Sequence, residues 1–324
     1  MQIKLADLSH KQELIEIWRE AFGDDEDYIS GFLGEYLIPG YNAPVIINNG
    51  KIASALYMIE LELYADKRVV GKCAYLFAAA TRESERGRGY MGELIRYAIE
   101  LYKKRGFYAI FLFPQEGDES LFRYYAKFGF EPVYGAKRVN YSPINEPRTD
   151  DTPFKKMELR SDGNRELRNI SFRLVNHDIV KPEIFAELYQ AYTEFTVRQS
   201  LSPLKDKLLY YKCASSYLDE PDRHFGVFEN NVEKFCYVFY KKFENNYYID
   251  DIIMAECKKT REFNETVRLL TDYILSLGCG LEINMPPESF DDNKLAMILG
   301  LSEDIKYIIK GLDSPVYLNM YMNI

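Results

Sequence analysis

The residues with the clearest chemical potential lie between 86 and 91: Arg86-Gly87-Arg88-Gly89-Tyr90-Met91. Glycines without side chains let backbone N–H groups close on an anion, and a helix starting just after them presents its positive end to the same place. Arg86 and Arg88 add positive charge, so the segment suits a phosphate or pyrophosphate. Gly87-x-Gly89-x-x-Gly92 formally matches the dinucleotide fingerprint as well. That pattern wants its first glycine at the end of a strand, and here the polar run Thr81-Arg82-Glu83-Ser84-Glu85-Arg86 intervenes. A second feature is Glu60 with Glu62, two residues apart on an expected strand and therefore on one face. They read either as a solvent-facing edge or as carboxylates able to hold an amine or take its proton.

Residues 70–130 must position this chemistry. Val69–Ala80 is almost continuously apolar, as a strand buried on both faces is. Leu94, Ile95, Ala98, Leu101 and Tyr102 recur at helical spacing, and Gly106 stops that helix. The apolar strand Tyr108–Phe113 follows, and Asp118-Glu119-Ser120 signals a second helix leading into 121–130, LFRYYAKFGF. Upstream, Ile3-Lys4-Leu5 reads as a strand and Lys11–Phe22 as a helix capped by Ser9 and ended by Gly23. Asp24, Asp25, Glu26 and Asp27 suit the start of another helix, Tyr28–Leu37, where the dipole favours acids. Pro44–Ile47 and Lys51–Leu63 form a hairpin on an Asn-Gly turn.

Two of these segments carry a resemblance. Arg86-x-x-Gly89-x-Met91 is similar to the pyrophosphate loop of the GNAT superfamily of acyl-CoA N-acyltransferases, whose pattern is Gln/Arg-x-x-Gly-x-Gly/Ala. Met91 departs at the last position, where only a backbone N–H is needed. Tyr125-Ala126-Lys127-Phe128-Gly129-Phe130 resembles the Tyr-x-x-x-Gly-Phe that often ends the later helix. Two motifs in order, in the right strand–helix context, are more specific than either alone. The Arg-x-x-Gly form, followed by two bulky residues and a leucine-containing helix, resembles the enhanced-intracellular-survival branch.

The resemblance implies acetyl-CoA as co-substrate and transfer of its acetyl group to a primary amine by direct attack. It implies that backbone N–H groups of Arg86, Gly87, Arg88, Gly89, Tyr90 and Met91 bind the pyrophosphate. Ala79, Ala80 and Thr81 match the strand positions that pair with the pantetheine arm. Tyr125 matches the general acid, a phenol able to protonate the leaving thiolate. Glu60 and Glu62 are candidates for the acceptor side. Val69–Ala80 lacks the glutamate that some relatives place there, and the branch uses its chain's terminal carboxylate, which here falls to Ile324. Two alternatives stay open: a non-catalytic acyl-CoA-binding module and an NAD-dependent oxidoreductase.

The second half echoes the first. Phe172–Val175, the helix Pro182–Arg198, a three-strand meander over residues 225–254, the helix Arg261–Leu277 and the strand Gly280–Met285 repeat its order. At the place of the phosphate loop stands Glu256-Cys257-Lys258-Lys259-Thr260-Arg261, without glycine. The expected fold class is α/β (α+β), with two GNAT-like domains, each a mixed, mostly antiparallel twisted sheet flanked by helices. The expected domains are 1–145, catalytic; 146–168, a polar linker; and 169–324, degenerate and without cofactor. The branch usually adds a sterol-carrier-like third domain, for which 324 residues are too few.

Composition narrows the partners. A net charge of −9 argues against nucleic acid, which needs a positive surface. No apolar run reaches membrane-spanning length, and the N-terminus lacks a signal-peptide core. Five scattered cysteines and three dispersed histidines offer no metal-ligand spacing, so no metal is expected and reduced thiols point to the cytoplasm. The expected partner is a small or medium amine, with a homo-oligomer left open.

Overall fold

The computed structural model describes residues 1–65, 67–115, 117–142, 172–198, 201–230, 233–255, 260–285, 293–312 and 316–317. The expected linker 146–168, the loop residues 256–259 and Ile324 lie outside these. Among the described residues no helix is long and apolar enough to cross a membrane. The chain forms two compact units. The first takes Met1–Gly135 with Ser200–Pro203 and Ser289–Val316; the second takes Ala136–Gln199, Leu204–Glu288 and Tyr317–Ile324.

In the first unit β1 (Gln2–Leu5) leads to α1 (Lys11–Phe22) and α2 (Glu26–Tyr36). Asp7, rather than Ser9, caps the turn before α1: its carboxylate accepts from the Ser9 amide at 2.9 Å. Gly23 ends α1 in the left-handed conformation (φ +80°). Asp25 caps α2 by accepting from the Tyr28 amide at 2.7 Å, so part of the acidic run serves the helix start. The hairpin β2 (Pro44–Asn48)–β3 (Lys51–Ala65) turns on Asn49 and Gly50, both at positive φ (51° and 78°), the geometry that matches strand twist. Next come β4 (Arg68–Thr81), α3 (Tyr90–Lys104), β5 (Ala109–Leu112), α4 (Glu119–Ala126) and β6 (Glu131–Tyr141), which from Ala136 on belongs to the second unit.

Strands β1 to β4 pair antiparallel in sequence, and β4 and β5 pair parallel. This is not the all-parallel sheet on which dinucleotide sites are built. Alternation along β3 and β4 splits their side chains between two faces. Leu56, Met58, Ala74 and Leu76 meet Leu94, Ile95 and Ala98 of α3. Tyr57 and Phe77 meet Trp18 of α1 and Phe32 of α2.

The second unit repeats the plan: β7 (Arg173–Asn176) and α5 (Pro182–Thr196) are followed, after the short strand β8 (Leu201–Leu204) that pairs with β3 of the first unit, by α6 (Lys207–Leu218), β9 (Arg223–Glu229), β10 (Lys234–Phe243), β11 (Asn246–Met254), α7 (Thr260–Ser276) and β12 (Gly280–Met285). Strands β7, β9, β10 and β11 pair antiparallel and β11 pairs parallel with β12, the pattern of β1 to β5. The fold class is therefore that expected, two mixed and mostly antiparallel sheets with flanking helices. Near the end of the chain β13 (Asn293–Gly300), followed by α8 (Glu303–Lys310), belongs to the first unit. It pairs antiparallel with β5, Met297 facing Leu112 and Gly300 facing Ala109. The expected boundaries run along the chain in order, whereas the first unit's sheet takes a strand from beyond residue 290.

Candidate active site

The glycine turn follows β4 through a short 3₁₀ turn, Glu83–Glu85. Gly87 and Gly89 both sit in the left-handed region (φ 77° and 80°), and Gly89 is the residue before α3. A Cβ added at either would meet nothing within 4 Å. Backbone conformation, not crowding, is what calls for glycine there. The first amides of a helix have no partner within it, and among the described residues no side chain caps α3. Alternating backbone conformations turn successive N–H groups toward one concavity suited to an anion. Arg86 is exposed and donates from Nε to the Thr81 carbonyl at 3.3 Å, closing the loop across its base. Arg88 pairs instead with Glu85 at 3.3 Å.

The loop is anchored by residues that the sequence reading passed over. The Arg82 side chain is only 17% exposed and donates to the Ile52 carbonyl at 2.7 Å. Its guanidinium also reaches Glu16 (3.1 Å) and Glu20 (3.5 Å) on α1. Ser54, fully buried, donates to the Ala80 carbonyl at 3.0 Å and lies 2.9 Å from the Thr81 hydroxyl.

Just before the loop, β4 is bulged. Ala55 faces Ala80 and Tyr57 faces Phe77, so Leu56 stands opposite both Ala78 and Ala79. Ala78 takes φ +45°, rare for a residue with a side chain. The β4–β5 register runs only from Cys73 to Tyr75. Past that point β4 leaves its parallel neighbour, and the backbone of 76–81 has one edge open to another extended chain. The expected residues Ala79, Ala80 and Thr81 lie on this stretch. Only a periodicity broken within an otherwise apolar run could have signalled the bulge, and small alanines hide that break.

Tyr125 is on α4, half-buried, its ring 6.0 Å from Phe130 and 5.4 Å from Tyr124. Burial pushes its phenol up to about 12, so it stays protonated across the neutral range and can donate. Tyr124 turns its hydroxyl toward the first turn of α3, 3.7 Å from where a Gly92 side chain would begin.

Glu60 sits elsewhere. It accepts from the Tyr41 hydroxyl at 2.6 Å and from Lys72 at 3.2 Å. The hydrogen bond to Glu60, with burial behind it, raises the Tyr41 phenol. Arg105 lies 3.9 Å above the Tyr41 ring and donates to the Tyr41 carbonyl at 2.9 Å. Arg105 follows the C-terminal end of α3. With about 1.5 Å of rise per residue, that puts the cluster at the end of the helix away from Gly89. The structure thus gathers Glu60 into an ion-pair cluster rather than with the loop; Glu62 is exposed on the same strand.

A left-handed glycine turn ahead of a helix, beside a bulged and splayed strand, marks an α+β fold whose strand order is built twice. The family model for the acetyltransferase (GNAT) domain matches residues 2–133. That match spans the contiguous N-terminal part of the first unit. Similar solved structures include a probable N-acyltransferase from Enterococcus faecalis V583, with TM-score 0.67 and 10% identity over 93% of this chain and 72% of that one. A GCN5-related N-acetyltransferase from Anabaena variabilis has TM-score 0.64 and 14% identity over 93% and 73%. Eis1 from Mycobacterium abscessus has TM-score 0.63 and 12% identity over 93% and 74%. These likenesses establish the fold across both units, in agreement with the resemblance to the enhanced-intracellular-survival branch. No curated protein matches the chain by sequence.

Proposed function

We propose that the first unit transfers an acetyl group from acetyl-CoA to a primary amine by direct attack. The observation that supports this best is the pairing of the left-handed Gly87/Gly89 turn before uncapped α3 with the open, bulged edge of β4. When bound, acetyl-CoA supplies a thioester, an acyl group already activated for transfer. The amides from Gly87 to Met91 receive its pyrophosphate; the Arg86 amide already donates to the Glu83 carbonyl at 3.2 Å, so Arg86 contributes through its side-chain charge, and the β4 backbone at Ala79, Ala80 and Thr81 pairs with the pantetheine arm. The amine nitrogen forms the new C–N bond as the C–S bond breaks. Tyr125 gives its proton to the departing sulfur, the nitrogen releases a proton to water, and water returns one to the phenolate. Such proton donation commonly contributes about 10²–10⁴ in rate. The second unit takes no part in cofactor binding in this reading, and the acceptor is a small or medium amine.

The test couples binding to turnover. Acetyl-CoA and CoA, but not NADH, should raise the melting temperature, since a ligand of the native state stabilises it. Thiol release with an amine panel should then fall about 10²-fold or more in Tyr125→Phe, with the acetyl-CoA KM within about twofold. Stabilisation by NADH alone overturns the reading. Binding without thiol release from any amine would leave an acyl-CoA-binding module instead.

A further inference from the structure

The glycine turn hangs between Thr81, the last residue of β4, and Tyr90, the first of α3, with one short 3₁₀ turn in between. Glycines at 87 and 89 leave that connector free to take many shapes. Transfer tolerates little of this freedom, since a reacting group misplaced by about 1 Å can lose about 10²-fold in rate. The place of the turn is set from outside, by α1. Leu14, Ile17 and Trp18 bury one face of that helix. Glu13, Glu16 and Glu20 follow one another at helical spacing on another. Glu13 accepts from the Ile52 amide at 2.6 Å, at the start of β3. Glu16 and Glu20 take Nη2 and Nη1 of Arg82 at 3.1 Å and 3.5 Å, and Glu20 also accepts from the Glu83 amide.

Arg82 is fastened through its backbone as well. Its amide donates to the Ala53 carbonyl at 3.0 Å, beside the Ile52 carbonyl that its Nε reaches at 2.7 Å. Its own carbonyl accepts from the Glu85 amide at 2.9 Å. Glu85 passes the hold forward: its carboxylate accepts from Asn48, at the end of β2, at 3.2 Å and faces Arg88, inside the turn, at 3.3 Å. Helix α1 and the β2–β3 hairpin thus grip the connector at Arg82, Glu83 and Glu85, all ahead of its glycines. Three nitrogens of one rigid fork meet three separate acceptors, an arrangement that lysine, a point charge on a flexible stem, does not reproduce. A guanidinium between two carboxylates also offsets negative charge close to an anion site, an effect that lysine does keep.

We infer that Arg82 is a positioning residue for acyl transfer. Clamped to the glutamate face of α1, it fixes the turn against the open edge of β4, so that pyrophosphate held on the one sets where the thioester lies along the other. This rests on the transfer reading above and adds to it a residue that touches neither reactant.

The experiment compares two thioesters on the full chain: acetyl-CoA, and S-acetyl-N-acetylcysteamine, which ends short of any pyrophosphate and so gains nothing from the turn. Thiol release is measured with the amine turned over fastest in the panel above. The proteins are wild type, Arg82→Lys, Arg82→Met, and Arg82→Met combined with Glu16→Gln and Glu20→Gln. Arg82→Met should lower kcat/KM for acetyl-CoA about 10²-fold, mostly in kcat, and leave the short thioester within about twofold. Arg82→Lys and the triple variant should lose nearly as much. Without any thioester, hydrogen exchange at the amides of residues 83–89 should quicken about 10-fold in all three variants and stay unchanged in β9 and β10. Recovery of the acetyl-CoA rate in Arg82→Lys or in the triple variant would reduce Arg82 to charge balance and overturn the inference. Equal loss with both thioesters would make it a stability residue, and loss without faster exchange in the turn would remove the clamp; either overturns it too. No thiol release by wild type from any amine falls on the transfer reading itself and takes this assignment with it.

Discussion

The two units put a strand irregularity at corresponding places and fill it differently. In the first, β4 bulges at Ala78 just past its last pairing with β5, and the residues there are alanines with small side chains. In the second, β11 pairs with β12 as far as Ile249, and the shift in its register with β10 leaves Asp250 as the extra residue. Asp250 accepts from the Tyr217 hydroxyl at 3.0 Å and faces Lys241 at 3.7 Å. Its neighbour Asp251 is 1% exposed and Lys205 2% exposed, and burial lowers the Lys205 ammonium while Cys213 and Asp251 oppose that shift. Above them Tyr192 and Tyr210 stack at 4.0 Å. One fold can keep its bulge either as an opening for another chain or as a seat for an internal polar network. Side-chain size and charge at two or three strand positions decide between these.

The comparison can be broken at the loop first. Gly89→Val forces a β-branched residue into a left-handed conformation. Cofactor-induced stabilisation should vanish, and thiol release should drop by about 10²-fold or more through misplacement of the anion site. Lys205→Met in the second unit should lower unfolding free energy by about 3 kcal/mol, because it leaves a buried carboxylate without its cation. The acetyl-CoA KM should stay within about twofold, and a change there would tie the second unit to cofactor binding. Urea titration and initial rates measure both.

Alkaline pH sharpens the contrast. Burial raises Tyr125 in the first unit and Tyr240 in the second to about 12. Below pH 10 these phenols are protonated in folded and unfolded chains alike, so their contribution is fully present. Above it the unfolded chain gives up protons that the folded one holds, and stability falls as pH rises toward 12. Thermal melts between pH 8 and 12 should show a decline beginning near pH 10, with acetyl-CoA protecting only the first unit. The smallest effect is Ser54→Ala. Losing its bonds to Ala80 and Thr81 should cost about 1 kcal/mol and raise the acetyl-CoA KM by only a few-fold.

Local chemistry made much of this legible in sequence. The Asn49-Gly50 turn, the Gly23 stop, the Asp118 cap and the apolar stripe of α3 each state a local preference that the fold obeys. The loop was readable because left-handed glycines and a helix start are themselves local. What stayed hidden depends on partners far along the chain. Val69 begins an apolar run yet is 54% exposed, since the end of β4 outruns its cover. The short strand Leu201–Leu204 and the helix α6, in which apolar and polar residues show little segregation, carry weak periodicity. The role of Glu60 was open because Tyr41, Lys72 and Arg105 come from three separate elements. The hold of Arg82 on α1 spans more than sixty residues and leaves no local trace.

Strand β13 carries a consequence for synthesis. A ribosome building this chain from its N-terminus completes the first 135 positions of the first unit while β5 still lacks its antiparallel neighbour. That neighbour, Asn293–Gly300, emerges only after most of the second unit has been translated. At about 5–20 residues per second, the nascent protein spends on the order of ten seconds or more with an apolar strand edge unpaired, the interval in which edge-to-edge aggregation competes with folding. Expression hosts that slow elongation, or fragments that stop short of residue 300, lengthen that interval or make it permanent.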